Sequence, residues 1–107
     1  MRDIMLARLD KTRPVLVLTR DQVREVMSRV TVAPITSTIK GLSTEVPVGP
    51  RNGIDRDSVV SCDNILTIGS GQLGRQIGDL YDDQEALLTE AIMNAFALQT
   101  PTRKQGS

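Results

Sequence analysis

Residues 14–18 read Pro-Val-Leu-Val-Leu. Apolar residues in unbroken succession behind a proline are too few for a helix, and their Val and Leu content fits a pleated sheet, so they specify a central strand. A chain of 107 residues has length for one core and not for two. That core must be aliphatic, because Tyr81 and Phe96 are the only aromatic residues. Cys62 is the only cysteine, which leaves no intrachain disulfide and fits a reducing, cytoplasmic setting. Its place inside a strand pattern reads as a small core residue.

Around this strand the pattern predicts further short strands. In Asp3–Asp10, Ile4, Leu6 and Arg8 point one way while Met5, Ala7 and Leu9 point the other. The stretch 30–35, Val-Thr-Val-Ala-Pro-Ile, reads as a strand that Pro34 demotes to an edge or a bulge. Thr44–Val48 is a second proline-marked, edge-like strand. Residues 58–62 and 64–68 read as two strands divided only by Asp63, or as one long bent strand. Residues 37–43, 49–57 and 69–74 read as loops or turns.

Two helices are expected. Val23, Val26 and Met27 recur at helical spacing and predict a short helix facing the core. The clearest element lies at 82–98. Leu88, Ile92, Ala95 and Phe96 form one stripe there, and Asp82, Asp83 and Glu85 in the first turn suit the helix dipole. Pro101 would end it. The expected architecture is mainly β with helices, an α+β chain built as a small antiparallel barrel or curled sheet with a C-terminal helix. Residues 1–100 form one domain in this reading, and 101–107 a loose tail.

Absences exclude whole classes of function. There is no histidine, so His/Cys metal sites, Ser-His-Asp and Cys-His nucleophiles and paired-histidine ribonuclease chemistry are all ruled out. Gly69–Gly74 matches neither a dinucleotide fingerprint nor a P-loop. No apolar run approaches the roughly 18 residues of a membrane span, and the charged N-terminus rules out a secretory signal core. Net charge is zero, but residues 1–56 hold ten Lys/Arg against six Asp/Glu and the remainder three against seven. A neutral chain poor in aromatics does not track long phosphate backbones, so any nucleic-acid site must be small and local.

Arg13, Thr36, Ser58 and Asp63-Asn64 remain as chemistry-bearing candidates. Taken singly, each also has a plain reading: an arginine paired with a surface carboxylate, a strand-end threonine, a turn pair. Taken in order, the segments RPVLVL, VTVAPITST, TEVPV, GIDRDSVVSCDNILTI, LGRQIGDL and AFAL resemble the MazF/PemK family of toxin endoribonucleases, over residues 4 to 98. The resemblance implies an SH3-like barrel and a homodimer. It also implies cleavage of single-stranded RNA, and neutralisation by a cognate antitoxin with an acidic disordered segment.

By the same resemblance, Arg13 and Thr36 are the catalytic pair, and Ser58, Asp63 and Asn64 contact RNA. Ser37, Thr38 and Lys40 of the neighbouring loop are expected to join them. No cluster of acids or His/Cys has ligand spacing, so no metal or other cofactor is expected. One departure stands out. The family's long first loop, rich in Gly, Ser and Glu, is reduced here to Leu9–Thr12. A non-catalytic interaction module on the same barrel is the alternative reading.

Overall fold

The structure is a computed structural model and describes residues 1–20 and 26–98. Seven strands, β1 (Arg2–Arg8), β2 (Thr12–Val17), β3 (Arg29–Thr36), β4 (Glu45–Val48), β5 (Ser58–Ser61), β6 (Leu66–Gly69) and β7 (Leu73–Leu80), precede one long helix, α1 (Asp82–Ala95). They form one antiparallel sheet in the order β4-β5-β3-β2-β1-β7, with β6 also on β3. The sheet is a curled, open barrel with α1 packed on one face. This is the expected fold class.

β2 is central, flanked by β1 and β3. Both of its faces are covered, which is why its apolar run has no polar alternation. Leu16 joins Ile4, Ala33, Ile35, Val46 and Val60 in a core closed by Leu88 and Ala91 of α1. Val15 and Val17 join Ala7, Val30, Val32 and Ile68 in a second core on the opposite face. The alternation read in β1 holds: Ile4 packs into the first core, and Met5, Ala7 and Leu9 pack into the second.

The strand pattern of 58–68 resolves as one bent partner of β3. β6 pairs with Arg29–Val32 and β5 with Ile35–Thr36, both antiparallel. Cys62, Asp63 and Asn64 are looped out between them as a 3₁₀ turn. Cys62 is the anchor of that turn, 1% exposed, and burial pushes its thiol up to about 11.

Four expectations are corrected. Pro34 does not mark an edge: it lies in the middle of β3, opposite Val15 of β2. On the other side it falls between the end of β6 pairing at Val32 and the start of β5 pairing at Ile35, so its missing N–H interrupts neither ladder. β4, with exposed Pro47, is the true proline-marked edge. Val26 and Met27 do not face the core, being 83% and 46% exposed; residues 21–25 of that predicted helix, and the tail 101–107, lie outside the described residues.

The third correction is that α1 stops at Ala95, and Phe96 turns out to solvent, 58% exposed. The fourth is β7, which the strand pattern did not reveal. It begins at Leu73, inside the stretch read as a loop, and pairs with β1.

Polar contacts fix the segment between β4 and β5. Asn52 is fully buried, and its Nδ2 donates to the Asp79 carbonyl and to Gln84 Oε1, both at 2.8 Å. Gln84 also accepts from the Tyr81 N–H at 3.0 Å, capping α1. Gly53 (φ 84°) and Gly78 lie so close that a Cβ on Gly78 would stand 1.8 Å from the Asn52 carbonyl oxygen. The loop 49–57 is thereby pressed onto β7.

Candidate active site

Arg13 is the second residue of β2, just past the hairpin that joins β1 to β2. The hairpin is short, closed by the Leu9 N–H donating to the Lys11 carbonyl at 3.1 Å. Its tip carries Asp10. Arg13 Nε and Nη2 donate to Asp10 Oδ1 and Oδ2 at 2.9 and 3.0 Å, a parallel fork-to-fork pair. That hydrogen bonding holds the Asp10 carboxyl well below the usual carboxylate range and raises the Arg13 guanidinium above its ordinary value. Asp10 was absent from the residues singled out in the sequence. The carboxylate that the plain reading of Arg13 called for does exist, at the edge of the site.

Thr36 ends β3. Val15 stands opposite Pro34 in the β2–β3 ladder. The ladder ends there, and Arg13 and Thr36 lie just beyond it on the two strands, lining the same clefts. Thr36 Oγ1 accepts the Thr38 N–H at 3.1 Å. An accepting hydroxyl keeps its own proton to donate, so Thr36 can still bond an anionic oxygen.

Arg13 and Thr36 form the ridge between two clefts and line both. One cleft, of about 530 Å³, is lined by Lys11, Ser37, Ser58, Arg56 and Arg75. The other, of about 570 Å³, is lined by Thr38, Lys40, Leu42, Asp63, Asn64 and Leu66. All the residues singled out in the sequence therefore meet around one ridge, although they split between its two sides.

Their availability differs. Asp63 accepts from Thr44 Oγ1 at 2.6 Å, and Asn64 donates to Ser61 Oγ at 2.8 Å, so both are held in place yet exposed. Ser58 is 4% exposed and donates to the Arg56 carbonyl at 3.0 Å, which makes it a brace under the cleft floor. Lys40 sits on a loop tied down by Glu45, whose carboxylate accepts the backbone N–H groups of Lys40, Gly41 and Leu42. Arg51, another cation of the basic half, is turned away: it pairs with Asp83 and lies 4.7 Å over the Tyr81 ring. Among the described residues no group of three or more His, Cys, Asp or Glu side chains is placed to share a metal ion.

Comparison with known proteins bears on this geometry. Residues 2–96 match the family model described as PemK-like, MazF-like toxin of type II toxin-antitoxin system. The chain belongs to this family. Endoribonuclease MazF3 of Mycobacterium tuberculosis is 60% identical over 98 residues, covering 92% of this chain and 95% of that protein. Probable endoribonuclease MazF5 of the same species is 39% identical over 71 residues, 65% of each chain. Among solved structures, the M. tuberculosis toxin MazF-mt6 superposes with a TM-score of 0.91 at 58% identity, covering 92% of this chain and all of that one. A mycobacterial endoribonuclease solved in complex with its cognate antitoxin shares the fold, with a TM-score of 0.81 at 23% identity, covering 92% of this chain and 95% of that one. In this MazF-type chain, then, the ridge and its two clefts stand on the family barrel.

Proposed function

We propose that this MazF-type endoribonuclease toxin cuts single-stranded RNA selectively at the Arg13–Thr36 ridge, without a metal. The 2′-hydroxyl attacks the adjacent phosphorus and gives up its proton, the 5′-oxygen of the next nucleotide leaves and takes a proton from water to become a hydroxyl, and a 2′,3′-cyclic phosphate remains. The observation that carries the reading is that Arg13 and Thr36 line the same two clefts. Two donors stand where a phosphate would gain negative charge, on strand ends that hold them rigidly.

Arg13 neutralises charge on the phosphorane, and Thr36 donates to a second oxygen. Asp10 keeps the guanidinium in plane. A phosphate arriving at Arg13 competes with Asp10 for it. The displaced carboxylate then loses the bond that depressed its pKa and regains basicity, which equips it to take the 2′ proton. Nucleotides on either side of the scissile phosphate fall into the two clefts, with Thr38, Lys40, Asp63 and Asn64 reading the bases in one.

The test is incubation of the purified protein with a long RNA in chelator, followed by sequencing of the fragments. Discrete cuts with cyclic phosphate ends support the reading. Intact RNA would leave the chain as an interaction module on the same barrel.

Assembly and inhibition belong to the same proposal. Leu87 and Phe96 of the α1 region are 48% and 58% exposed, and the family membership favours a C₂ homodimer. A cognate antitoxin would cover Arg13 and Lys40 with an acidic segment that folds on binding. Its contacts with Arg51 would have to displace Asp83. Among the described residues no helix is long and apolar enough to cross a membrane, and a cytoplasmic site of action fits an RNA substrate.

A further inference from the structure

The cleft on the Arg56 side carries more positive charge than the pair on the ridge requires. Besides Arg13 it is lined by Lys11, Arg56 and Arg75, with Asp55 as its one carboxylate. Lys11, Arg56 and Arg75 are all exposed, and none has an ion pair among the described residues. The contrast with other arginines is informative. Arg2 is held by Glu85 and Arg51 by Asp83, both away from this cleft. Within the cleft even Asp55 is left out of any salt bridge.

These three cations come from distant parts of the chain: the β1–β2 hairpin, the 49–57 loop and β7. The fold spends specific contacts to bring them together. Asn52 bonds to the Asp79 carbonyl at 2.8 Å. Gly53 and Gly78 allow a backbone approach that no side chain would permit. The loop bearing Arg56 is thus locked to the strand bearing Arg75. Cations that outnumber the one carboxylate, Asp55, in a single concavity repel one another, and the arrangement is relieved when an anion enters.

We propose that Lys11, Arg56 and Arg75 form a second phosphate site, which grips the RNA backbone one or two nucleotides from the scissile phosphate. This rests on the endoribonuclease reading and adds to it a division of labour. Arg13 and Thr36 act on the reacting phosphate, whereas the trio binds a neighbouring phosphate equally in ground and transition states. Such uniform binding shows in KM and not in kcat. It also makes affinity fall with salt, by a log–log slope of about 0.7 per phosphate neutralised on a single strand.

The experiment compares wild type, Arg56→Gln, Arg75→Gln and the double variant, with Arg29→Gln as control. Arg29 opens β3 at the end opposite Thr36 and lines neither cleft. Two readouts are taken. One is cleavage kinetics on a long RNA. The other is binding of a fully 2′-O-methylated mixed-sequence oligonucleotide, which offers no nucleophile and cannot be cut, at several salt concentrations. Each cleft variant should raise KM and weaken oligonucleotide binding about tenfold, with kcat within about twofold of wild type. Each should also flatten the salt slope by about 0.7, and Arg29→Gln should do neither.

Unchanged binding and slope in the double variant would overturn the second site. A fall in kcat at constant KM would overturn it too, since the residues would then serve the reacting phosphate. A wild-type protein that binds the oligonucleotide through these residues but cuts no RNA would sink the nuclease reading while leaving the phosphate site standing.

Discussion

Asp10 grips Arg13 by both oxygens, Nε to Oδ1 at 2.9 Å and Nη2 to Oδ2 at 3.0 Å, from three residues back on the hairpin tip. Asp10→Asn keeps the shape and removes the charge. The expected result is slower cleavage, about 10- to 100-fold in kcat, if the carboxylate both aligns the guanidinium and takes the proton. Circular dichroism should be unchanged, because the pair is exposed. A variant that cuts at the wild-type rate would remove Asp10 from the mechanism.

The ionisation of that pair also sets a pH expectation. The depressed carboxyl of Asp10 stays charged as pH falls through the ordinary carboxylate range near 4 and is lost only below it. The chain has no histidine. The acid limb of kcat/KM should therefore be absent between pH 5 and 8, the window where a histidine base would titrate. An inflection near pH 6.5 in a rate profile would contradict the assignment of groups at this site.

Arg13→Ala should cost about 100- to 1000-fold in kcat, the usual loss for one preorganised donor to a developing anion. Arg13→Lys should recover little of it, since a point charge has no fork. Thr36→Ala should cost less than Arg13→Ala, because its donor is neutral. Single-turnover cleavage of one RNA by all three variants gives the order directly, and a reversed order would refute the roles given to the two residues.

Chelation should leave the rate unaltered. The ridge supplies its positive charge from Arg13, and no cluster of metal-ligating side chains stands among the described residues. Loss of cleavage in EDTA with recovery on Mg²⁺ would point instead to a cation held by Asp10, Asp55 or Asp63 together with the RNA.

Gly78→Ala should destabilise the fold by several kcal/mol, because its Cβ would have to occupy the space of the Asn52 carbonyl oxygen, 1.8 Å away. The same loop carries Arg56, so a variant that still folds should bind RNA less tightly. Thermal melting measures the first effect and oligonucleotide binding the second; a variant with wild-type melting would show that the loop is not pressed onto β7.

Much of this was readable in the sequence, because hydrophobic period reports burial directly. The unbroken Val15–Leu18 run marked β2, and the alternation from Ile4 to Leu9 marked both faces of β1. The edge alternative for Pro34 failed because its tolerance depends on β6 and β5 taking turns along one side of β3, a relationship absent from any local window. β7 was missed for a related reason: Gly74 and Gly78 dilute its alternation, and at Gly78 the cause is the close approach of Asn52.

The end of the C-terminal helix was overextended because its stripe continues past the element. Phe96 keeps helical spacing although the chain has already turned, with Ala97 at a φ of 54°. Around the site, Arg13 and Thr36 were singled out through the order of segments, and both line the same two clefts. Asp10 needed the hairpin geometry to be recognised. Arg56 and Arg75 lie on separate elements, and only the packing of the 49–57 loop on β7 makes them neighbours.

The pairing of β1 with β7 brings the first and last strands of the sheet together. In chain order Arg13 and Thr36 come on β2 and β3, whereas Arg75 and Ile77, which wall the cleft beside them, come on β7. A chain truncated before Leu73 would carry Arg13 and Thr36 on a sheet with β1 unpaired along one edge. Cleavage should be negligible in such a truncation. A ridge without the β7 wall would offer RNA an open sheet edge in place of a cleft.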